Sequence, residues 1–359
     1  MRRVLPLLAV LALAGPPALA QSYYLSHDVP TNRSLTFYLP SDVVRNDAGA
    51  YSLKMPLPGK ASIDGVHQMC SGAWLFSVEA PTELPPVSLT YFGPQDVILY
   101  DPITGAYSMF FDGAASGVPA GANVDTAFLD GGDSADLILS FDIPTTISWV
   151  TYEPADLVRY SAGTFSLYFD ASATTPPLPL STNVTGADRW GGSGTLVLSF
   201  DVPTVLNLVP YVPGELVSWD GTTFASFYLD STWPLSSVVS GFAFLAAPGS
   251  VPNTSLRVAP SAIMPGDLTL TWSAATSAGG EDYGIYEGTI GSWYGHASRD
   301  CHDDGADLTE EVTPSTGDTY YLVVPFNPNS EGSYGRATSG AERPQGTLPC
   351  KTIQDLTCP

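Results

Sequence analysis

The sequence predicts an all-β protein whose first two thirds form a closed ring of four repeats, and three observations carry that prediction. Seven letters recur almost unchanged, as LSHDVPT (25–31), FSVEAPT (76–82), LSFDIPT (139–145) and LSFDVPT (198–204). The chain holds 34 Gly and 32 Pro in 359 residues, with only 14% charged residues. Such a balance suits short strands joined by many turns. Beyond the first twenty residues no segment shows a sustained helical period with caps.

The first element, MRRVLPLLAVLALAGPPALA, has two arginines, an apolar run and the small-x-small ending Ala18-Leu19-Ala20. It predicts an export signal of bacterial type, cleaved near Ala20, because it is short and nothing apolar of spanning length follows. Gln21 follows the cut, so no lipid-acceptor Cys is placed there. The formal net charge is −23, and loss of Arg2 and Arg3 takes it to −25. Lys54, Lys60 and Lys351 are the only lysines. Phosphate binding needs clustered Lys and Arg, so a nucleic-acid partner is excluded.

Each repeat continues past its seven letters. Next comes Pro-x-acid-aliphatic-aliphatic, as PSDVV (40–44), PQDVI (94–98), PADLV (154–158) and PGELV (213–217). An aromatic strand follows, as AYSLKM (50–55), AYSMFFD (106–112), TFSLYFD (164–170) and TFASFYLD (223–230). The unit ends on IDGVHQ (63–68), VDTAFLD (124–130), VTGADRW (184–190) and VSGFAFLA (239–246). Four strands per unit, at a period between 50 and 63 residues, predict propeller blades. The last unit lacks its own LSFDVPT, while residues 21–31 supply one without a preceding partner. The two ends of the repeat region are thus expected to complete one blade together, giving a four-bladed ring without an open edge. An open stack and a pair of β-sandwiches are the rival arrangements.

VDTAF (124–128), then LILSFD (137–142) and DLVRY (156–160), resembles the hemopexin repeat, in which such a strand opens each blade. That resemblance implies a four-bladed propeller with Ile63, Val124, Val184 and Val239 starting the strands nearest the central channel. The closing disulfide of that family is absent, and no haem or matrix binding is carried over.

The pattern changes after residue 246, and 247–254 reads as a Pro/Gly/Ser linker. In 255–359, DLTLTWSAA (267–275), DYGIYEG (282–288) and DTYYLVVPF (318–326) read as strands, with Trp272 for a core. The stretch resembles a fibronectin type III domain. YEGTIGSWYGH (286–296) with YYLVVPFNPNSEGSYGRATSGAERP (320–344) is similar to a C-terminal module of secreted bacterial proteins, which implies a spacer or interaction role without catalysis. Four cysteines in an exported chain should be oxidised. Cys301 with Cys350 is the preferred pair, stapling the tail to the sandwich. The competing pattern closes Cys350 with Cys358 and ties Cys70 to Cys301.

Acids written into every repeat, Asp42, Asp96, Asp156 and Glu215, and likewise Asp28, Glu79, Asp142 and Asp201, are expected to accept backbone N–H groups. Function is sought where the repeats differ. Aligning Ala127-Phe128 with Val66-His67, Ala187-Asp188 and Ala243-Phe244 makes His67, Asp125 and Asp188 candidates for one mouth of the channel. Trp190, Trp219 and Trp233 break the repeat and are candidates for stacking on sugars. Two acidic loops offer oxygen ligands for calcium: Asp130, Asp133 and Asp136, and Asp300, Asp303, Asp304 and Asp307. No other cofactor is expected.

Nucleophile, zincin and phosphate-loop motifs are missing. The expected protein is therefore a non-catalytic recognition protein of the envelope or exterior, with an unidentified protein or glycan as partner. Two alternatives stand beside it: a structural component of a surface layer, and a secreted glycan hydrolase using an acidic site.

Overall fold

The computed structural model describes residues 21–358 apart from 34, 59–60, 86–89, 192–193, 230–236 and 303. The expected export signal, Trp233 and Asp303 lie outside the described residues. The chain is all-β, and its first part contains four antiparallel four-stranded sheets arranged like propeller blades. The second sheet is built from Ile63–Gln68, Trp74–Val78, Val97–Asp101 and Ala106–Phe111. The third is built from Val124–Leu129, Leu137–Phe141, Leu157–Ser161 and Thr164–Phe169, and the fourth from Val184–Trp190, Thr195–Phe200, Glu215–Trp219 and Phe224–Leu229. The first sheet takes Ser22–His27, Asp42–Asp47 and Ala50–Pro56 from one end of the repeat region and Val239–Phe244 from the other. Tyr23 pairs with Phe244 and Leu25 with Phe242, so the two ends of the repeat region share a sheet as the repeat order requires.

Each sheet has one strand lying against the strands of the other sheets, and these begin at Ile63, Val124, Val184 and Val239. Burial explains their composition. Val124–Leu129 is buried at every position, whereas the outermost strand Thr164–Phe169 is exposed or half-exposed at all but its last. Three of the four inner strands carry glycine at their third position, because the neighbouring backbone lies there. A Cβ on Gly241 would sit 1.8 Å from the Asp64 carbonyl oxygen, and one on Gly65 would sit 2.7 Å from the Ala127 nitrogen. Hydroxyls cross the same gap: Ser240 Oγ donates to the Ile63 carbonyl, Ser140 Oγ to that of Val184, and Thr185 Oγ1 to that of Val239.

Aromatic pairs fill all four junctions. Tyr24 meets Trp74 at 4.7 Å, Phe111 meets Tyr160 at 4.8 Å, Phe169 meets Trp219 at 6.4 Å, and Tyr228 meets Tyr23 at 5.2 Å. These edge-on contacts add to the burial of large apolar side chains. No sheet closes on itself among the described residues; it is the packing of sheet on sheet that runs round from the first to the fourth and back.

The sequence reading did not anticipate a two-stranded hairpin in each repeat. Thr31–Arg33 pairs with Thr36–Tyr38, Thr82–Leu84 with Thr90–Phe92, Thr145–Ile147 with Val150–Tyr152, and Thr204–Leu206 with Val209–Tyr211. Each follows the Pro-Thr that ends the seven letters. Buried Tyr38, Tyr152 and Tyr211 root three of them, and Phe92 the fourth.

Residues beyond 255 form two three-stranded sheets, Arg257–Pro260, Leu268–Thr271 and Thr309–Val312, and Ala297–Asp300, Asp282–Thr289 and Thr319–Phe326. Leu270, Trp272, Tyr283, Ile285, Val312 and Val323 share one core, with Trp272 edge-on to Tyr283 at 5.4 Å. Cys301 is bonded to Cys350 as preferred, and the second disulfide joins the two remaining cysteines, Cys70 and Cys358. Further contacts hold the C-terminal part on the repeats. Arg45 grips the Glu281 carboxylate, and Ser22 and Asn329 exchange two hydrogen bonds of 2.8 and 2.7 Å.

Candidate functional site

The inner strands have two ends, and the structure treats them differently. Their C-terminal ends meet the C-terminal part of the chain. There Cys70 O accepts from Ala278 N and Cys70 is bonded to Cys358, while Gln68 Oε1 accepts from Ala246 N at the end of the fourth repeat. His67 and Asp188 line the space left between them, a cavity of about 210 Å³ that also contacts Trp190, Phe244 and Asp355. His67 Nδ1 lies 3.9 Å from Asp188 Oδ2. Burial drives Asp188 up to about 7 and His67 down to about 4. Asp188 is held by the backbone N–H groups of Arg189 and Phe244, each at 2.8 Å.

The opposite end is open. Asp28, Glu79, Asp142 and Asp201, one from each seven-letter segment, surround a cavity of about 540 Å³ together with Asp64 and Asp125 of the inner strands. Three of the segment acids have a structural task there, as expected. Asp28 accepts from Val238 N, Asp142 from Asn123 N and Asp201 from Asn183 N, at 2.7 to 2.8 Å. In doing so they pin the start of three inner strands and bring their charges to one mouth. Asp64 and Asp125, 8% and 6% exposed, lie deeper. Asn123 Nδ2 donates to both, at 2.8 and 3.2 Å, and Asn183 Nδ2 donates to Asp125. Burial raises Asp64 to about 7, with Glu79 and Asp142 adding to the rise. Asp125 is also raised well above the ordinary carboxylate range, first by burial and then by the charge of Asp64. This arrangement holds more negative charge as pH rises toward 8.

Asp125 therefore does not share a mouth with His67 and Asp188. It is the second residue of its strand and they are the fifth of theirs, a separation of roughly 10 Å along a strand. The alignment of the fourth unit also shifts by one. Gly186 pairs with Ser199 and Gly241 with Ser26, so Phe242, not Ala243, corresponds to Ala187.

Two of the three tryptophans expected to stack on sugars are packed against neighbouring rings: Trp190 against Phe244 at 4.8 Å, and Trp219 against Phe224 at 4.4 Å. In the loop at 130–136 the carboxylates have protein partners. Asp130 pairs with Arg159 and Arg189 at 3.0 and 2.7 Å, Asp136 with Arg159 at 3.4 Å, and Asp133 accepts from the N–H groups of Cys70 and Ser71. Asp300 pairs with His302, and Asp304 and Asp307 point outward. No group of three His, Cys, Asp or Glu with metal-holding geometry occurs among the described residues. The recurrent acids Asp42, Asp96, Asp156 and Glu215 cap their turns as expected, accepting from the N–H groups of Leu39, Gly93, Glu153 and Val212.

What the sequence reading missed is the hairpin tips. Leu35, Trp149 and Leu208 are 98%, 98% and 94% exposed, and each sits four residues after the Thr of its Pro-Thr. That recurrence of a bulky apolar letter at a turn was the available signal.

No family model and no curated protein matches the chain. Among solved structures it is similar to the extracellular domain of a hybrid two-component system from B. thetaiotaomicron, at 10% identity over 84% of this chain and 42% of that one, TM-score 0.26. It is also similar to PorZ, a surface component of the type-IX secretion system of Porphyromonas gingivalis, at 10% identity over 84% and 50%, TM-score 0.27. A third is the β-propeller domain of Cps50 from Myceliophteria thermophila, at 11% identity over 83% and 90%, TM-score 0.27. The chain spans about half the length of the first two. At such TM-scores the superpositions are loose, and the fold described above rests on strand pairing alone.

Proposed function

We propose that this is an exported, non-catalytic recognition protein that binds a cationic partner at the open end of a four-bladed propeller. Its C-terminal part is a fibronectin III-like module that seals the other end. One observation carries the reading: six carboxylates converge on the mouth that the C-terminal part leaves uncovered. The two disulfides fit an oxidising compartment. Calcium is given no place in this reading, since Asp130, Asp133, Asp136 and Asp300 are engaged with arginines, backbone N–H groups or His302.

A short lysine peptide tests the reading, with its affinity for residues 21–359 followed against pH. Surface carboxylates titrate near pH 4 and leave affinity flat above about 6. The mouth instead predicts affinity that rises from pH about 6 to 8 as Asp64 loses its proton. Asp64→Asn with Glu79→Gln and Asp142→Asn should abolish that rise. Asp304→Asn with Asp307→Asn and Asp318→Asn, an equal change in charge on the C-terminal part, should keep it. Equal loss in both variants would reduce the binding to a general effect of net charge and defeat the proposal.

A further inference from the structure

The three hairpin tips are energetically out of place. Two-residue turns with both residues at positive φ suit Asn-Gly, since a Cβ crowds the backbone there. This chain instead uses Ser148-Trp149 at φ 51° and 71°, and Asn207-Leu208 at 50° and 66°; Leu35 lies at 69°. A side chain with a Cβ is disfavoured there, with Asn the most tolerant. The most exposed apolar side chains of the repeats thus sit where backbone geometry least favours them, in the same place in three repeats. Strain recurring at exposed tips marks a contact surface rather than a packing need. Neighbours extend the surface: Phe37 is 61% exposed, Val205 59% and Val150 50%.

Topology puts these tips at the open end. Each hairpin follows the strand whose next residue is the mouth acid, so Thr145 lies three residues after Asp142, and Thr204 three after Asp201. The result is an acidic mouth with apolar fingers leaving its rim. A second copy of the chain would bring like charges together across the mouth, and an anionic lipid surface would be repelled by the same six carboxylates.

We infer that the open end docks a basic polypeptide segment with apolar flanks, its Lys or Arg side chains entering the mouth while Leu35, Trp149 and Leu208 grip the flanks. This rests on the cationic-partner reading above and adds the apolar half of the recognition. It also gives the bulky residues at these strained turns a purpose.

The test compares two labelled peptides of equal charge, one alternating Lys with Leu and the other Lys with Ser, against residues 21–359 at physiological salt. The Lys-Leu peptide should bind at least about tenfold more tightly. The triple variant Leu35→Asn, Trp149→Asn and Leu208→Asn should lower it to the Lys-Ser level and leave Lys-Ser binding unchanged. Asn accepts positive φ, so the thermal midpoint of the variant should equal or exceed the parent's, which excludes misfolding as the cause. Unchanged Lys-Leu binding in the variant overturns the inference while leaving the cationic mouth intact. Loss of binding to both peptides on neutralising the mouth, with equal loss from the C-terminal charge control, defeats the underlying reading instead. Two further results would also overturn it by naming a different occupant. One is a blue shift of parent Trp emission on phosphatidylcholine vesicles, with or without phosphatidylglycerol, that the variant lacks. The other is a concentration-dependent dimer, seen by sedimentation, that the variant lacks.

Discussion

Asp64 and Asp188 are single carboxylates at opposite ends of the channel, and burial raises each to about 7. Each favours the folded state below its unfolded value near 4, and that contribution is lost as pH rises through about 7. His67, lowered to about 4, works in the other sense, since its contribution is present above about 6.5 and lost as pH falls through 4. Above pH about 6.5 the histidine contribution is complete while both carboxylates still titrate, so between pH about 6.5 and 8 the thermal midpoint should fall as pH rises. Asp64→Asn removes one of these groups, and its midpoint should fall less over the same range. A parent midpoint that rises across this window would contradict the burial of both carboxylates. None of this was legible in the letters, because Asp64 is one acid among 36 and its neighbours Asn123 and Asp125 come from the next repeat.

At the scale of elements, the inner strands depend on absent side chains. The Gly241 backbone lies against the Asp64 carbonyl, and a Cβ there would be 1.8 Å from the oxygen. Gly241→Ala must therefore push two inner strands apart, and a loss of about 3 kcal/mol or more is expected in urea unfolding. Gly121→Ala, where nothing lies within 4 Å and φ is not positive, should cost under about 1 kcal/mol. Equal costs would mean that the strands do not approach as described. The inner strands were legible down to their first residues, because Ile63, Val124, Val184 and Val239 open a pattern written four times. The hairpins were not, since three-residue strands are too short to show a period, and Ser-Trp and Asn-Leu are not turn signals. The fourth inner strand was misread by one position because Phe242 and Phe244 flank Ala243, so either phenylalanine could match Phe128.

For the whole molecule, the two ends of the channel differ through one covalent tie. Cys70 follows an inner strand and Cys358 lies 288 residues later, so their bond fixes the C-terminal part over that end and leaves the acidic end free. This pairing is the one left over once Cys301 is preferred for Cys350, but the place where the folded tail returns was not legible in the spacing. A cross-link closing so long a loop restricts the unfolded chain more than the 49-residue separation of Cys301 and Cys350 does. Cys70→Ser with Cys358→Ser is therefore expected to lower stability by about 2–5 kcal/mol, and by more than Cys301→Ser with Cys350→Ser. The polar contacts of Arg45 with Glu281 and Ser22 with Asn329 remain in the first variant, so the two parts should stay associated below its unfolding transition. Peptide affinity at the open end should then match the parent's in both variants, because no mouth residue touches either disulfide. A fall in affinity on losing only the Cys70–Cys358 bond would mean that the covered end controls the open one. The rigid ring of inner strands between them would be the carrier, and the C-terminal part would act as a regulator instead of a seal.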